Sequence, residues 1–367
     1  MILAGGIGER FWPMSRSSSP KQLHAIGSDK TMLEETVARI MACCTGNARP
    51  MLITGTGIAG KAAEILGDDA GKIEIIAEPA GKNTAPAIAI AAGIIKERYG
   101  DAVMVVVSAD HAIKPAGKFV QAVNCAVDIA IARGGLVVFG IKPSRPETGY
   151  GYIELGDGID AGTPPPSPAN DPANGCAAFQ VKRFVEKPSA ENAVKFMESG
   201  KFLWNSGMFV WKASTILNEF RRHMPDLYDQ TVSASKNKFC AAAINEFYSV
   251  CRKESIDFGI MEKAENVCAV CGSFFWDDLG SWESLSRVYE SDDNGTTAAG
   301  QLVYQKECVN SLIINKSRYT VAAAGLDNVA VIAVDDALLV IDRSRLPDLK
   351  RYLSEIKSSG KFPEELF

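Results

Sequence analysis

The run Val103-Met-Val-Val-Val107 has no polar position. A strand with one wet face would alternate apolar and polar residues, so this one is buried on both faces. Such a strand needs covering helices, and the flanking chain supplies them. Strand-like apolar runs at 51–54, 73–77, 102–108 and 136–140 alternate with helical runs at 57–66, 84–98 and 118–132. That alternation predicts an α/β fold with a Rossmann-like, doubly wound sheet. Ligands of such sheets bind outside the carboxyl ends of the strands. Two features fall there: the glycine-rich loop that follows a short first strand ending at Ala4, and Asp110. That first strand has only four residues, Met1 among them, which leaves a truncated start open.

From Gly149 the pattern changes. Strands are expected at 151–155 and 180–185, separated by a Pro-, Gly- and Asn-rich insertion at 157–176. A helix at 190–198, a strand at 204–212, helices to Cys251, a short helix at 257–263 and a strand run at 266–275 follow. A Ser-Asp-Asp-Asn-Gly-Thr-Thr linker at 291–297 precedes short strands at 302–304, 311–314, 320–323 and 329–341 and a charged helix at 349–356. The expected organisation is a mixed-sheet α/β domain over 1–290 and a small β-rich domain over 298–367.

Charge and cysteine usage bound the function class. The 367 residues carry a net charge of −5, which argues against a nucleic-acid binder. No run is long enough to span a bilayer and no basic-then-apolar leader opens the chain, so neither a membrane partner nor an exported location is expected. Nine cysteines without a framework fit the reducing cytoplasm. Cys268 and Cys271 form a C-x-x-C inside a strand, where residues three apart point to opposite faces; buried thiols are the expected reading.

The residues that suggest chemistry are few. The loop after Leu3 and Ala4 places Gly5, Gly6 and Gly8 ahead of Arg10, with Lys21 beyond a turn. Glycines let backbone N–H groups line a phosphate, and the two cations add charge. No Gly-Lys-Ser/Thr closes the loop, so it is not a Walker A loop. Asp110 in Ser-Ala-Asp-His and Asp278 in Trp-Asp-Asp-Leu-Gly-Ser-Trp each read as an ordinary loop acid, or together as carboxylates for one Mg²⁺. Phe184-Val-Glu-Lys-Pro188 is either a strand exit with an ion pair, or a Glu186 for sugar hydroxyls beside a Lys187 for phosphate. Asn205 has an amide that both donates and accepts, and Gly149 would let a sugar approach backbone. In Glu78-Pro-Ala-Gly-Lys-Asn83-Thr84, Asn83 can cap a helix. Glu78 either pairs with Lys82 or offers two acceptors to the paired donors of guanine.

Taken in order, Leu-Ala-Gly-Gly-x-Gly-x-Arg…Pro-x-Ser-Arg…Pro-Lys-Gln, Ala-Asp-His, Glu-Lys-Pro, Asn-Ser-Gly and Trp-x-Asp-x-Gly-Ser-Trp resemble the signature of the sugar-1-phosphate nucleotidyltransferases. The Glu78–Asn83 run and the tail are similar to the guanylyl-transferring members that take mannose 1-phosphate. The resemblance implies GTP and mannose 1-phosphate as partners and Mg²⁺ as cofactor, and leaves a homo-oligomer open. It implies a nucleotide site of Leu3, Ala4, Gly5, Gly6, Gly8, Arg10, Lys21, Glu78, Asn83, Thr84 and Asp110. It further implies a sugar-phosphate site of Gly149, Glu186, Lys187 and Asn205, metal ligands Asp110 and Asp278, and catalytic roles for Arg10, Lys21 and Lys187. Ser108 replaces a common proline and Asp277 a common serine, which sets a second acid beside Asp278. Another hexose 1-phosphate or nucleotide, or a binding subunit without turnover, are the alternatives.

Overall fold

The computed structural model describes residues 1–45, 48–159 and 177–367. Most of the expected insertion therefore lies outside the described residues. Two compact units form. Unit one comprises Met1–Gly5, Thr36–Ala109 and Ile113–Trp276; unit two comprises Gly6–Glu35, Asp110–Ala112 and Asp277–Phe367. Among the described residues no helix is long and apolar enough to cross a membrane.

Unit one is built on strands β1 (Ile2–Ala4), β2 (Met51–Gly55), β3 (Glu74–Glu78) and β4 (Val103–Ser108), in the spatial order β3-β2-β1-β4 and all parallel. Helices α1 (Met32–Cys43), to which the sequence reading assigned no element, α2 (Thr56–Leu66) and α3 (Thr84–Tyr99) separate them in the chain, and α4 (Ala116–Arg133) follows β4. Beyond β4 and the short β5 (Ala112–Lys114) the sheet becomes mixed. Strands β6 (Leu136–Ile141), β7 (Gly151–Gly158), β8 (Ala178–Glu186), β9 (Phe202–Lys212) and β10 (Val267–Cys271) run in both directions. β7 pairs with β8 and with β9, so these five strands close on themselves rather than extend an open doubly wound sheet. Register shifts at Glu154/Leu155 and Leu155/Gly158 in β7 supply the bend, as bulges do.

The core of unit one centres on α3. Its residues Ala85–Ile94 are buried on every side, as a helix that is apolar all round must be. Gly93 lets α7 (Pro225–Lys236) approach, because a Cβ there would lie 2.5 Å from the Phe239 ring and 2.9 Å from Thr231. Helices α6 (Ala213–His223) and α8 (Ala241–Val250) complete the layer, and α5 (Ala190–Ser199) packs on β9. The expected strand over 266–275 breaks after β10, and β11 (Phe275–Asp277) resumes beyond Gly272 and Ser273. Cys268 and Cys271 both lie in β10, and burial pushes both thiols up, Cys271 to about 11.

In unit two the chain steps between two small sheets. β12 (Thr297–Gly300), β14 (Leu312–Asn315) and β16 (Val329–Val334) are parallel neighbours in one; β13 (Val303–Lys306) and β15 (Val321–Ala324) pair in the other. Successive strands thus wind as short coils, and β17 (Ala337–Asp342) folds back on β16. The run 329–341 is therefore a hairpin, turned at the adjacent acids Asp335 and Asp336. Period two sorts the side chains. Leu312, Ile314, Ala330 and Ile332 face a core with Phe11, Met14, Trp282, Leu285, Leu346 and Leu349. Ile313 and Val331 face the other way, onto Cys308 and Ala323. Helix α9 (Leu349–Ser358) closes the unit.

Candidate active site

In unit two, the glycine loop and two acids meet around one ammonium. Lys21 is 4% exposed. Its Nζ lies 2.8 Å from Asp110 Oδ2 and donates to the carbonyl oxygens of Asp278 and Leu279 at 2.8 Å each. An ammonium has three protons, so all are placed. Burial pulls the Asp110 carboxyl up, but Lys21, His111 and hydrogen bonds outweigh it and leave the pKa below its ordinary value. Gly8 takes φ +74°, and a Cβ there would sit 2.8 Å from Lys21 Cβ, so the loop passes close to the lysine stem only because the residue is glycine. Gly6 has φ +87° with open space around it. Arg10 is exposed in the single turn Glu9–Phe11.

The two acids at 277 and 278 behave differently. Asp277 is 2% exposed and takes a two-pronged ion pair from Arg287, Nε–Oδ2 2.6 Å and Nη2–Oδ1 3.1 Å. Asp278 is half-buried, and its Oδ1 accepts from Gly280 N at 3.0 Å. Trp282, buried on the following turn, donates from Nε1 to Trp12 O at 2.8 Å and packs on Phe11 at 4.9 Å between ring centroids. This tryptophan ties the Asp278 turn to the segment after the glycine loop.

Unit one holds the other expected groups in two clusters. Glu78 ends β3, buried, and its Oε1 accepts from the Tyr248 hydroxyl at 2.6 Å rather than pairing with Lys82. Burial raises the Glu78 carboxyl, partly offset by that bond, and pushes the Tyr248 phenol far up. Asn83 has φ 71°, and its side chain accepts from Thr84 N at 2.9 Å at the start of α3. Thr84 Oγ1 accepts from Ile256 N at 2.8 Å. Leu3 and Ala4 end β1 and Gly5 follows it; Ala4 O accepts from Thr54 Oγ1 at 2.9 Å.

The second cluster gathers Gly149, Glu186, Lys187 and Asn205. Glu186 Oε1 pairs with Lys187 Nζ at 2.9 Å, and the lysine is 61% exposed at the strand exit with φ 46°. Gly149 N donates to Glu147 Oε1 at 3.0 Å. Asn205 Nδ2 donates to Asp257 Oδ1 at 2.7 Å. Burial, then the neighbouring Glu186, pushes Asp257 up to about 6. Tyr248, Asp257, Arg287 and Trp282 are support residues that the sequence motifs do not assign. Only Trp282 carries a sequence signal, its place in the Gly-Ser-Trp motif; Tyr248 and Asp257 pair with residues 170 and 52 positions away, and Arg287 pairs with Asp277 across the intervening turn.

The chain as a whole is similar to known enzymes. The nucleotidyl transferase family model matches residues 1–295. Mannose-1-phosphate guanylyltransferase of Escherichia coli is 36% identical over 98% of this chain and 74% of its own length. Xanthan biosynthesis protein XanB of Xanthomonas campestris pv. campestris is 37% identical over 98% of this chain and 73% of its own. The crystal structure of mannose-1-phosphate geranyltransferase from Thermus thermophilus matches with a TM-score of 0.84 at 29% identity, covering 97% of this chain and 98% of that one. With a family match over most of its length and such relatives along nearly all of it, the chain belongs to the nucleotidyl transferase family.

Proposed function

We propose that this enzyme transfers GMP from GTP to α-D-mannose 1-phosphate, giving GDP-mannose and diphosphate. The observation that carries the reading is the match, over 98% of the chain, to relatives named mannose-1-phosphate guanylyltransferase. Its α/β nucleotidyltransferase fold with a strand-rich C-terminal region agrees with that reading. The order β3-β2-β1-β4 supports its Rossmann-like part, with the glycine loop and Asp110 beyond strand ends. A phosphate oxygen of the sugar attacks the α-phosphorus of GTP; the new P–O bond forms as the bond to the leaving diphosphate breaks. That oxygen is ionised at neutral pH, so catalysis is positioning and charge neutralisation. The loop from Leu3 to Gly8 and Arg10 hold the triphosphate. Glu78, Asn83 and Thr84 serve the base side, and Lys187, Glu186, Asn205 and Gly149 hold the sugar phosphate.

The donor set at Asp110 and Asp278 is oxygen-only, the kind a divalent cation such as Mg²⁺ takes alongside substrate phosphates. Engagement of Asp277 by Arg287 favours Asp278 as the second ligand. The cation would supply charge neutralisation on the phosphates. Lys21, fixed among Asp110 and the two carbonyls, keeps these groups in register. The enzyme would work in the cytoplasm on small molecules, without nucleic acid or membrane. Diphosphate release decides the reading. GTP with mannose 1-phosphate should exceed GTP with glucose 1-phosphate, and ATP with mannose 1-phosphate, by at least about tenfold in kcat/KM, about 1.4 kcal/mol. A preference for another sugar phosphate or nucleotide would reassign the substrates, and no turnover of any pair would leave a binding subunit.

A further inference from the structure

Asn205 stands at an irregularity of β9. Pairing with β6 runs Val138↔Phe209 and then Gly140↔Asn205, so β9 advances four residues while β6 advances two. The extra residues include Gly207 at φ +66°. This bulge turns the Gly207 N–H onto Asn205 Oδ1 at 2.9 Å. Bulges re-aim side chains in this way near active sites. The other end of the amide is held by Asp257 at 2.7 Å. An amide fixed at both ends has one orientation, carbonyl toward Gly207 and NH₂ toward Asp257. One N–H and one carbonyl lone pair remain for a ligand.

Asp257 arrives from a different element. It opens a π-helical turn, Asp257–Met261, and single π turns recur at functional sites. Gly259 seats that turn, since a Cβ would lie 2.6 Å from Met224 Sδ. Gly151 leaves room for the third member: a Cβ there would run into Glu186 Oε2 and lie 3.3 Å from Asn205 Cβ. The amide and two carboxylates are thus gathered from β9, β8 and the π turn.

We propose that Asp257 is a positioning residue for the hexose 1-phosphate: it locks the Asn205 amide so that its remaining donor and acceptor are presented to sugar hydroxyls. This rests on reading the chain as a sugar-1-phosphate nucleotidyltransferase. The test is steady-state kinetics of the full chain with GTP and mannose 1-phosphate, beside a melting curve for each variant. Asp257→Ala should raise the KM for the sugar phosphate about tenfold, while the KM for GTP stays within about twofold, a factor of ten being 1.4 kcal/mol. Asp257→Asn keeps an acceptor at the same reach and should restore the sugar-phosphate KM to within about threefold of wild type. In an Asn205→Ala background, Asp257→Ala should add no further effect. Should Asp257→Ala fail to fold, Asp257→Gln, whose longer side chain displaces the acceptor, carries the same expectation. An unchanged sugar-phosphate KM, an equal rise in both KM values, or an Asn variant as impaired as the Ala variant overturns the role. If wild type turns over a different hexose 1-phosphate, the same comparison is made with that substrate, so a wrong sugar is told apart from a wrong residue. Wild type inactive on every hexose 1-phosphate overturns both readings.

Discussion

All three protons of the Lys21 ammonium go to protein oxygens, and two of those oxygens belong to the turn that carries Asp278. The neighbouring acids therefore separate by experiment. Asp110→Ala and Asp278→Ala should each lower turnover by about 10²-fold or more, the scale of losing a key electrostatic stabiliser, with melting temperature little changed. Asp277→Ala should do the reverse, costing about 3 kcal/mol of stability because it removes the buried carboxylate that Arg287 holds with two hydrogen bonds. A destabilised Asp278→Ala beside a stable, inactive Asp277→Ala would exchange the two roles. Glu78 offers a second residue-level test. Glu78→Gln can still accept from Tyr248 but sets an amide donor against the donors of guanine, so kcat/KM for GTP should fall relative to ATP by about 1–3 kcal/mol. An unchanged GTP-to-ATP ratio would remove Glu78 as the base reader. Residue types and their loop positions were legible in the sequence at Asp110, Lys21 and Glu78. Their partners were not, because Lys21 and Asp278 are 257 positions apart and Glu78 and Tyr248 are 170 apart.

At the scale of elements, the π turn makes a pH prediction. Burial and Glu186 raise the Asp257 carboxyl from 3.8 to about 6. A raised acid binds its proton more tightly in the folded chain than in the unfolded one. Its stabilising contribution is full below about pH 3.8, the unfolded value, and is lost as pH rises through about 6. Asp257→Asn does not titrate, so its stability should gain on wild type between about pH 4 and 7 and hold that gain above, on the order of 3 kcal/mol, read as a rise in its melting temperature relative to wild type. Parallel melting curves of the two proteins across that range would show that the carboxylate is not strained by its site. Element reading succeeded where a period was unbroken, as in β4 and in α4. It fell short in three places. Helix α1 lies in a stretch to which the sequence reading assigned no element, although Leu33, Val37 and Ile40 recur at helical spacing on its buried face. The hairpin of β16 and β17 turns at two acids without glycine, so its two strands read as one. Only the inward positions recur from coil to coil in β12–β16, too few to announce a repeat.

At the scale of the whole molecule, the chain distributes one core over three separate stretches, which no local pattern could announce. A boundary near residues 290–298 follows the change in composition, yet unit two takes the segment after the glycine loop together with everything from Asp277 onward. Phe11, Met14, Trp282 and Leu285 share their core with Leu312, Ile314, Ala330, Ile332, Leu346 and Leu349. Polar links run the same way: Arg16 grips both oxygens of Asp336, Lys350 pairs with Glu9 at 2.9 Å, and Arg343 pairs with Glu283. A fragment of residues 1–290 would lose the last six of those apolar partners. Burial of one such large aliphatic side chain contributes about 1.5–3 kcal/mol, so the loss of several rivals the whole stability of a typical domain, about 5–15 kcal/mol. The fragment should therefore release no diphosphate from GTP and mannose 1-phosphate, and should bind a hydrophobic dye or precipitate at concentrations where the full chain stays soluble. Co-expression with residues 291–367 should recover part of the activity, because the missing surface is supplied in trans. A soluble 1–290 fragment with kcat/KM within about fivefold of the full chain, a change of about 1 kcal/mol, would show instead that the glycine-loop segment keeps its shape without the coils, and that the folding boundary lies at the composition change after all.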